Sequence, residues 1–450
     1  MKTLASRRQF LQASAGAAGA AFAAKTIRLD AEPVQAPSSV VPASDRVRFG
    51  MIGVGMQGSG LLDTAIKLPG VECAAACDLY DGRHTLAKEI AGPGLRTTRR
   101  YQELLADKEI DCIVAAVPDH WHEQIVVEAV AAGKDVYCEK PMSHSAADGF
   151  EMVAAARKSG RIVQIGSQRT SSVLCAKARE LVAKGVLGDI QLVEGSLGRN
   201  DPTGAWQYPP PSDLSPLTLD WDTWQGNVPK RPFDANVFAR WRCWKDYGTG
   251  VAGDLMVHLI SGMLFTWGKN EAPKRAMAMG GILRWKDGRN MPDVHTSLFE
   301  YGDVPVYVRL NLGSETPEVL RFLGSKGILE LTETGLTFAA QPGIDTAPSY
   351  YDQGFPRVMR EEYVQRWHQE HDAKPGEEAV LEGESYRGPS YDDVRPHLSR
   401  FFQAVRTRQG VLQDAVFGHH AALACHMANE SYLRRAAVSV DPVTKSIKSA

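Results

Sequence analysis

The chain has 450 residues, enough for roughly three domains of about 150 residues each and for a sizeable core. It carries 51 Lys and Arg against 53 Asp and Glu, a net charge of −2. That balance excludes a general nucleic-acid binder, whose affinity comes from neutralising phosphates. Charged residues at 23% and hydrophobic ones at 44% are ordinary for a globular protein and exclude disordered, collagenous and multi-span membrane chains. Seven cysteines without a C-x-x-C pair do not describe a disulfide framework. Cys77, Cys112 and Cys138 lie in apolar stretches and read as reduced, buried thiols.

The chain opens MKTLASRRQFLQASAGAAGAAFAAK. Arg7 and Arg8 precede Phe10 and Leu11, and a small-residue apolar run follows from about Ala13 to Ala24. The run has no polar face, and it is shorter than the about 20 apolar residues that span a bilayer. Ala21-Phe22-Ala23 supplies the small-x-small pattern of a signal-peptidase site. The S-R-R-Q-F-L stretch resembles a twin-arginine signal, so residues 1–23 are expected to be a signal peptide and the protein periplasmic or exported. That route carries folded proteins, which suits reduced cysteines. Residues 24–45, with Pro33, Pro37 and Pro42, read as a linker or extended arm.

From Val47 the pattern changes. VRFGMIGVG is an apolar run ending in glycines, as a buried parallel strand should be. It leads into Gly53-x-Gly55-x-x-Gly58 and a helical segment through Leu68. VECAAACD is then a second strand ending at Asp78, twenty residues past Gly58. This context makes the glycine triplet a dinucleotide-binding signal. Gly53 permits the tight turn, Gly55 the close approach of a pyrophosphate, and Gly58 the packing of helix on strand. Met56 and Gln57 open the helix, whose N-terminal amides suit phosphate. Asp78 suits ribose hydroxyls and repels a 2'-phosphate, so NAD is expected over NADP, with Arg83 nearby weakening that preference. Strands at 110–118, 135–141 and 162–168 alternate with helices from about Glu123 to Gly133 and from Ala146 to Gly160. Such alternation predicts an α/β fold with a parallel, doubly wound sheet over residues 46–170. Ligands of such sheets sit beyond the strand ends, where Pro118, His120, Trp121, His122, Glu139, Lys140, Gln168 and Arg169 fall.

A Rossmann strand–GxGxxG–helix, then Pro118-Asp119-His120-Trp121-His122, then Glu139-Lys140-Pro141, resembles the Gfo/Idh/MocA family of oxidoreductases. The resemblance runs from about residue 45 to 440. It implies a nicotinamide cofactor, a sugar, cyclitol or polyol substrate, and a homo-oligomer. It also implies a C-terminal α/β domain with an open, mainly antiparallel sheet, here residues 171–440, leaving 441–450 as a tail.

Residues 201–232 form a loop with seven prolines, and five of the nine tryptophans lie between 206 and 244. The tryptophans either pin this loop or wall a carbohydrate site, with Trp241 the named candidate, and Arg240, Arg242 and Lys245 lie among them. Residues 341–392 read as an extended surface excursion, and helices are expected from about Arg395 to Arg408 and Gln413 to Arg435. In GTGVAGDLMVHLISGM, Asp254 and His258 are four apart and would share a helix face, the acid orienting the imidazole and raising its pKa. The match to the family's corresponding segment carries Asp254 and His258 over as catalytic. The family's further acid after the histidine is replaced here by Ser261-Gly262. His419, His420 and His426 lack a metal-ligand pattern, and no metal is expected.

The expected chemistry is hydride transfer between an alcohol carbon and nicotinamide. Lys140 would stabilise the alkoxide and His258 would move the hydroxyl proton. Glu139 would position Lys140, and His122 would line the nicotinamide side. Arg169 and Trp241 are substrate candidates. Export, where free NAD is scarce, favours a tightly held and internally recycled cofactor. One alternative is an NAD-dependent glycosidase that oxidises a ring hydroxyl transiently. Another is a nucleotide- and sugar-binding sensor without turnover.

Overall fold

The computed structural model describes residues 26–29, 46–341, 347, 350–371, 383–389, 393–441 and 443–450. The twin-arginine segment, residues 1–23, lies outside the described residues.

The first half is the expected parallel sheet. Its strands are β2 (Val47–Ile52), β3 (Val71–Cys77), β4 (Arg96–Thr98), β5 (Cys112–Ala115), β6 (Asp135–Cys138) and β7 (Val163–Ile165), in the order β4-β3-β2-β5-β6-β7. Every pairing among them is parallel. β5 and β6 are buried at all four positions, because helices cover both faces. On those faces lie α1 (Met56–Ile66), α2 (Asp81–Ala91), α3 (Tyr101–Ala106), α4 (His122–Ala131) and α5 (Ala146–Ser159). α5 begins with a capping box in which Ser145 and Asp148 satisfy each other's amides, and ends on Gly160 at φ 64°. Chain order reverses between β2 and β5, the crevice where such sheets hold ligands.

After α6 (Val173–Ala183) comes an eleven-stranded mixed sheet. It contains β1 (Thr26–Arg28), β8 (Ile190–Gly198), β9 (Arg275–Gly281), β10 (Val294–Tyr301), β11 (Val304–Asn311) and β12 (Thr316–Gly324). It is completed by β13 (Gly327–Thr332), β14 (Gly335–Ala340), β15 (Glu384–Arg387), β16 (Val438–Asp441) and β17 (Ser446–Ser449). The order is β1-β15-β14-β13-β12-β8-β11-β10-β9-β16-β17, antiparallel except at β1–β15 and β8–β11. The arm thus contributes an edge strand, and β17 in the expected tail closes a hairpin with β16. Short helices α7 (Trp221–Trp224) and α8 (Ala235–Ala239) lie in the tryptophan-rich loop. α9 (Val257–Trp267), of which nine residues are buried, packs on the sheet. The excursion at 341–392 contains α10 (Arg357–His371), an unforeseen helix whose polar surface gives no apolar stripe to read. α11 (Val394–Thr407) and α12 (Ala415–Arg434) close the chain within two residues of expectation. α11 sends Leu398, Phe401 and Phe402 into the Rossmann core, so the C-terminal helices tie the two halves together. All seven cysteines are free thiols, six of them buried.

Candidate active site

The loop after β2 brings backbone closest to the crevice. Gly53 has φ +86°, and a Cβ there would stand 2.4 Å from the Ala116 carbonyl oxygen. A Cβ at Gly58 would stand 2.0 Å from the Gly53 carbonyl oxygen, so α1 can start beneath the loop only with glycine there. Gly55 caps α1 without a side-chain acceptor, leaving the first amides open to a ligand. Asp78, buried just past β3, accepts from Val54 N at 2.8 Å and Tyr80 N at 3.1 Å, so it also steadies the loop. The Arg83 guanidinium lies 3.3 Å from the same carboxylate and passes over Gly55.

Two adjoining cavities share Arg83, Ala116, Val117, Pro118 and Trp224. One, ≈ 590 Å³, is lined by Gly53, Asp78, Arg99 and Arg100. The other, ≈ 350 Å³, is lined by Gly55, Met56, Gln57, Glu139, Lys140, Tyr208, Trp241 and Arg242. Together they form one crevice across the β2/β5 switch point.

Lys140 stands at the end of β6. Its Nζ donates to the Asp254 carbonyl oxygen at 2.7 Å and to Asp254 Oδ1 at 3.0 Å. Arg242 Nε donates to the same Oδ1 at 3.0 Å, and its guanidinium stacks 4.3 Å from the Trp241 ring centre. Burial alone would raise the Asp254 carboxyl, but Lys140 and Arg242 outweigh it and hold it well below the usual carboxylate range. Glu139 is held by three donors. It accepts from Gln168 Nε2 at 2.6 Å, Gln57 Nε2 at 3.1 Å and the Lys140 amide at 3.1 Å, and so fixes the backbone that carries the lysine. Burial pushes its carboxyl up, against the opposing charge of Lys140.

Three expectations change. Asp254 does not orient His258. Residues Ala252–Met256 form a π turn, which breaks the four-residue alignment of the two side chains, and Lys140 and Arg242 occupy the carboxylate. Burial, then the charges of Lys140, Arg169 and Arg199, drive the His258 imidazole well below its ordinary value rather than above it. Its Nδ1 is buried without a hydrogen-bond partner, and His258 is not among the residues lining the crevice. His122 does not line the nicotinamide side either. It is fully buried, with ring nitrogens 2.8 and 3.0 Å from the Pro141 and Val117 carbonyl oxygens, and it ties the Pro118 turn to the Lys140 loop. Arg169 pairs with Glu318 at 2.8 Å and lines neither cavity.

The tryptophans divide between both readings. Trp221 and Trp224 stack at 4.8 Å within an aromatic cluster that includes Tyr80, Phe238 and Tyr247, which pins the loop. Trp224 and Trp241 also wall the cavity. His419, His420 and His426 go to separate partners, Phe150, Asn270 and Ser143. Sequence reasoning missed the hold of Gln168 on Glu139 and of Arg242 on Asp254. Arg242 carries no motif, and only its place among tryptophans signalled it.

Residues 47–167 match the model of an oxidoreductase family with an NAD-binding Rossmann fold, Gfo/Idh/MocA. The chain carries the NAD-binding domain of the Gfo/Idh/MocA oxidoreductases. An inositol 2-dehydrogenase of Salmonella paratyphi B is 31% identical over 151 residues, 33% of this chain and 45% of that protein. The chain therefore spans less than half the length of that curated relative. In fold it is similar to GenD2 from gentamicin A biosynthesis in complex with NAD (TM-score 0.63, 18% identity, 91% of this chain and 100% of that one). It is also similar to levoglucosan dehydrogenase in complex with NADH and levoglucosan (TM-score 0.61, 17% identity, 88% and 99%). The residues present fit NAD. Gly53 and Gly58 let the loop and α1 pack closely enough to bring backbone to the crevice, the first α1 amides would hold the phosphates, and the Asp78 carboxylate, which lines the cavity, would take the ribose hydroxyls.

Proposed function

We propose that the protein is an NAD-dependent oxidoreductase acting on a sugar- or cyclitol-like alcohol. One observation carries this. The Lys140 ammonium has three N–H groups, Asp254 takes two, and the third is left for an oxygen in the cavity that Lys140 lines. Bound nicotinamide would supply the hydride acceptor or donor. Lys140 then stabilises the charge that develops on the substrate oxygen, in a site where Asp254, itself held by Arg242, keeps it in place. The imidazole of His258, outside the cavity lining but close enough to feel Lys140, is the proposed proton carrier for the substrate hydroxyl. Glu139, Gln57 and Gln168 keep the Lys140 backbone in register. The relatives named for inositol and levoglucosan support the substrate class. Asp78 supports NAD over NADP.

The reading extends to export. Arg7-Arg8 ahead of an apolar run supports a twin-arginine route to the periplasm, where a retained and recycled NAD favours a redox-neutral reaction. Replacing both arginines with lysine should leave the protein in the cytoplasmic fraction. Met277, Met279 and Leu298 are 51%, 72% and 51% exposed on neighbouring strands β9 and β10, which supports a homo-oligomer formed through the open sheet face. Light scattering of the purified protein checks this.

The test of the activity is purification with any retained nucleotide, then a panel of sugars and inositols read by nucleotide absorbance. Lys140→Ala should lower turnover on the best substrate by about 10²-fold or more. Wild-type turnover in that variant refutes the role of Lys140. Release of aglycone from aryl glycosides without net NADH would instead indicate the glycosidase route, and NAD binding without turnover a sensor.

A further inference from the structure

We propose that the cavity takes a sugar or cyclitol bearing an anionic substituent, a carboxylate or a phosphate, gripped by Arg242. The inference rests on the oxidoreductase reading above and narrows its substrate class.

The argument begins with charge. At the reacting end of the crevice, Lys140 and Arg242 share a single carboxylate oxygen of Asp254. Two cations thus face one anion. Glu139 is committed elsewhere, its oxygens already accepting from Gln57, Gln168 and the Lys140 amide. Arg169 is balanced separately by Glu318. The side chains of Lys140 and Arg242 are only 13% and 18% exposed, so water screens the excess poorly.

Geometry then assigns the excess to Arg242. Its Nε is committed to Asp254 and its flat face to Trp241, which together fix the plane of the guanidinium. Its Nη1 and Nη2 have no protein acceptor among the described residues, and the residue lines the cavity beside Lys140 and Tyr208. A planar edge with paired N–H donors matches carboxylate or phosphate oxygens in a way that a single hydroxyl does not. The cofactor's own phosphates do not account for it. Phosphates would sit on the open amides at the start of α1, where Arg83 already lies, whereas Arg242 is held by Asp254 beside Lys140 in the same cavity. A neutral sugar would leave this mostly buried cation with only the share of Asp254 that Lys140 does not take.

The experiment is calorimetric titration of the NAD-loaded protein with D-glucuronate, D-glucose 6-phosphate and D-glucose at low and moderate salt. At least one anion should bind about tenfold or more tightly than glucose, and the ratio should shrink as salt rises. Whichever anion wins distinguishes carboxylate from phosphate. In Arg242→Gln the preference should collapse to within about twofold. Glucose binding as tightly as both anions to the wild type overturns this inference and leaves the oxidoreductase reading standing. So does failure of both anions to bind. An anion preference that survives in Arg242→Gln overturns the assignment to that residue. Failure of the protein to bind NAD overturns the parent reading and this one together.

Discussion

Asp254→Asn tests the electrostatic core of the site. The wild-type carboxylate, 14% exposed, lies 3.0 Å from both Lys140 Nζ and Arg242 Nε. Asparagine keeps the shape and one acceptor oxygen but removes the charge, so two cations then converge on a neutral atom. Removing one partner of a buried ion pair costs about 3–5 kcal/mol. The residual exposure and the retained acceptor bring the expected loss to about 2–3 kcal/mol. The pH dependence follows from the depressed carboxyl of Asp254, where the two cations outweigh burial. A group whose folded pKa lies below its unfolded value stabilises fully above the unfolded value, here about 3.9, and loses that contribution as pH falls through the folded one. The gap between wild type and variant should therefore be flat from neutrality down to about pH 5 and close only in strong acid. Urea unfolding followed by tryptophan fluorescence measures it. Combining Asp254→Asn with Arg242→Gln removes one of the two stranded cations. The double variant should then be more stable, by about 1 kcal/mol, than the sum of the single losses implies. A single variant within about 0.5 kcal/mol of wild type, or strict additivity in the double, refutes the shared-carboxylate account.

Gly58→Ala forces a Cβ to 2.0 Å from the Gly53 carbonyl oxygen, a backbone contact that cannot yield cheaply. NAD affinity measured by fluorescence quenching should fall by at least about tenfold, or the fold should fail outright. His258→Gln should lower turnover by about 10²–10⁴-fold. Burial and three nearby cations keep the His258 imidazole neutral, so the wild-type rate should show no break at the ordinary histidine value near 6.5, and a break there refutes this. The same depressed imidazole makes stability decline as pH falls below about 6.5, because the unfolded chain binds that proton first. Asp78→Ala should weaken NAD and improve the NADP-to-NAD affinity ratio by about fivefold or more, and an unchanged ratio refutes its role at the ribose.

The Rossmann half was legible because every local signal agreed with the global fold. Apolar runs ended in glycines, Gly53, Gly55 and Gly58 stood where backbone must approach, and Asp78 closed the second strand. The structure adds a capping box at Ser145 and a left-handed Gly160 at the ends of α5, in agreement with the predicted helix. The large sheet was legible only as a class. β1 and β15 are far apart in sequence and pair through long-range contacts that leave no local trace. α10 escaped because its few apolar residues, Val358, Met359 and the buried Trp367 among them, form no stripe.

The site divides along the same line. Lys140, Glu139 and the glycines came from motifs at strand ends that the fold must bring to the crevice, with the family resemblance singling out Glu139-Lys140-Pro141. The partnership of Asp254 depended on the pitch of one turn. Read as an α-helix, D-x-x-x-H joins Asp254 to His258; wound as a π turn, the same residues send the carboxylate to Lys140 and Arg242. This single change reverses the expected electrostatics. An acid that would have raised an imidazole is consumed by two cations, and the imidazole is left neutral beside the charges of Lys140, Arg169 and Arg199. A neutral imidazole can accept a proton at pH 7, which a carboxylate-stabilised imidazolium could not. The same depression makes His258 a weaker base than the sequence pattern implied, and the duty of holding Lys140 passes to Asp254, itself held by Arg242.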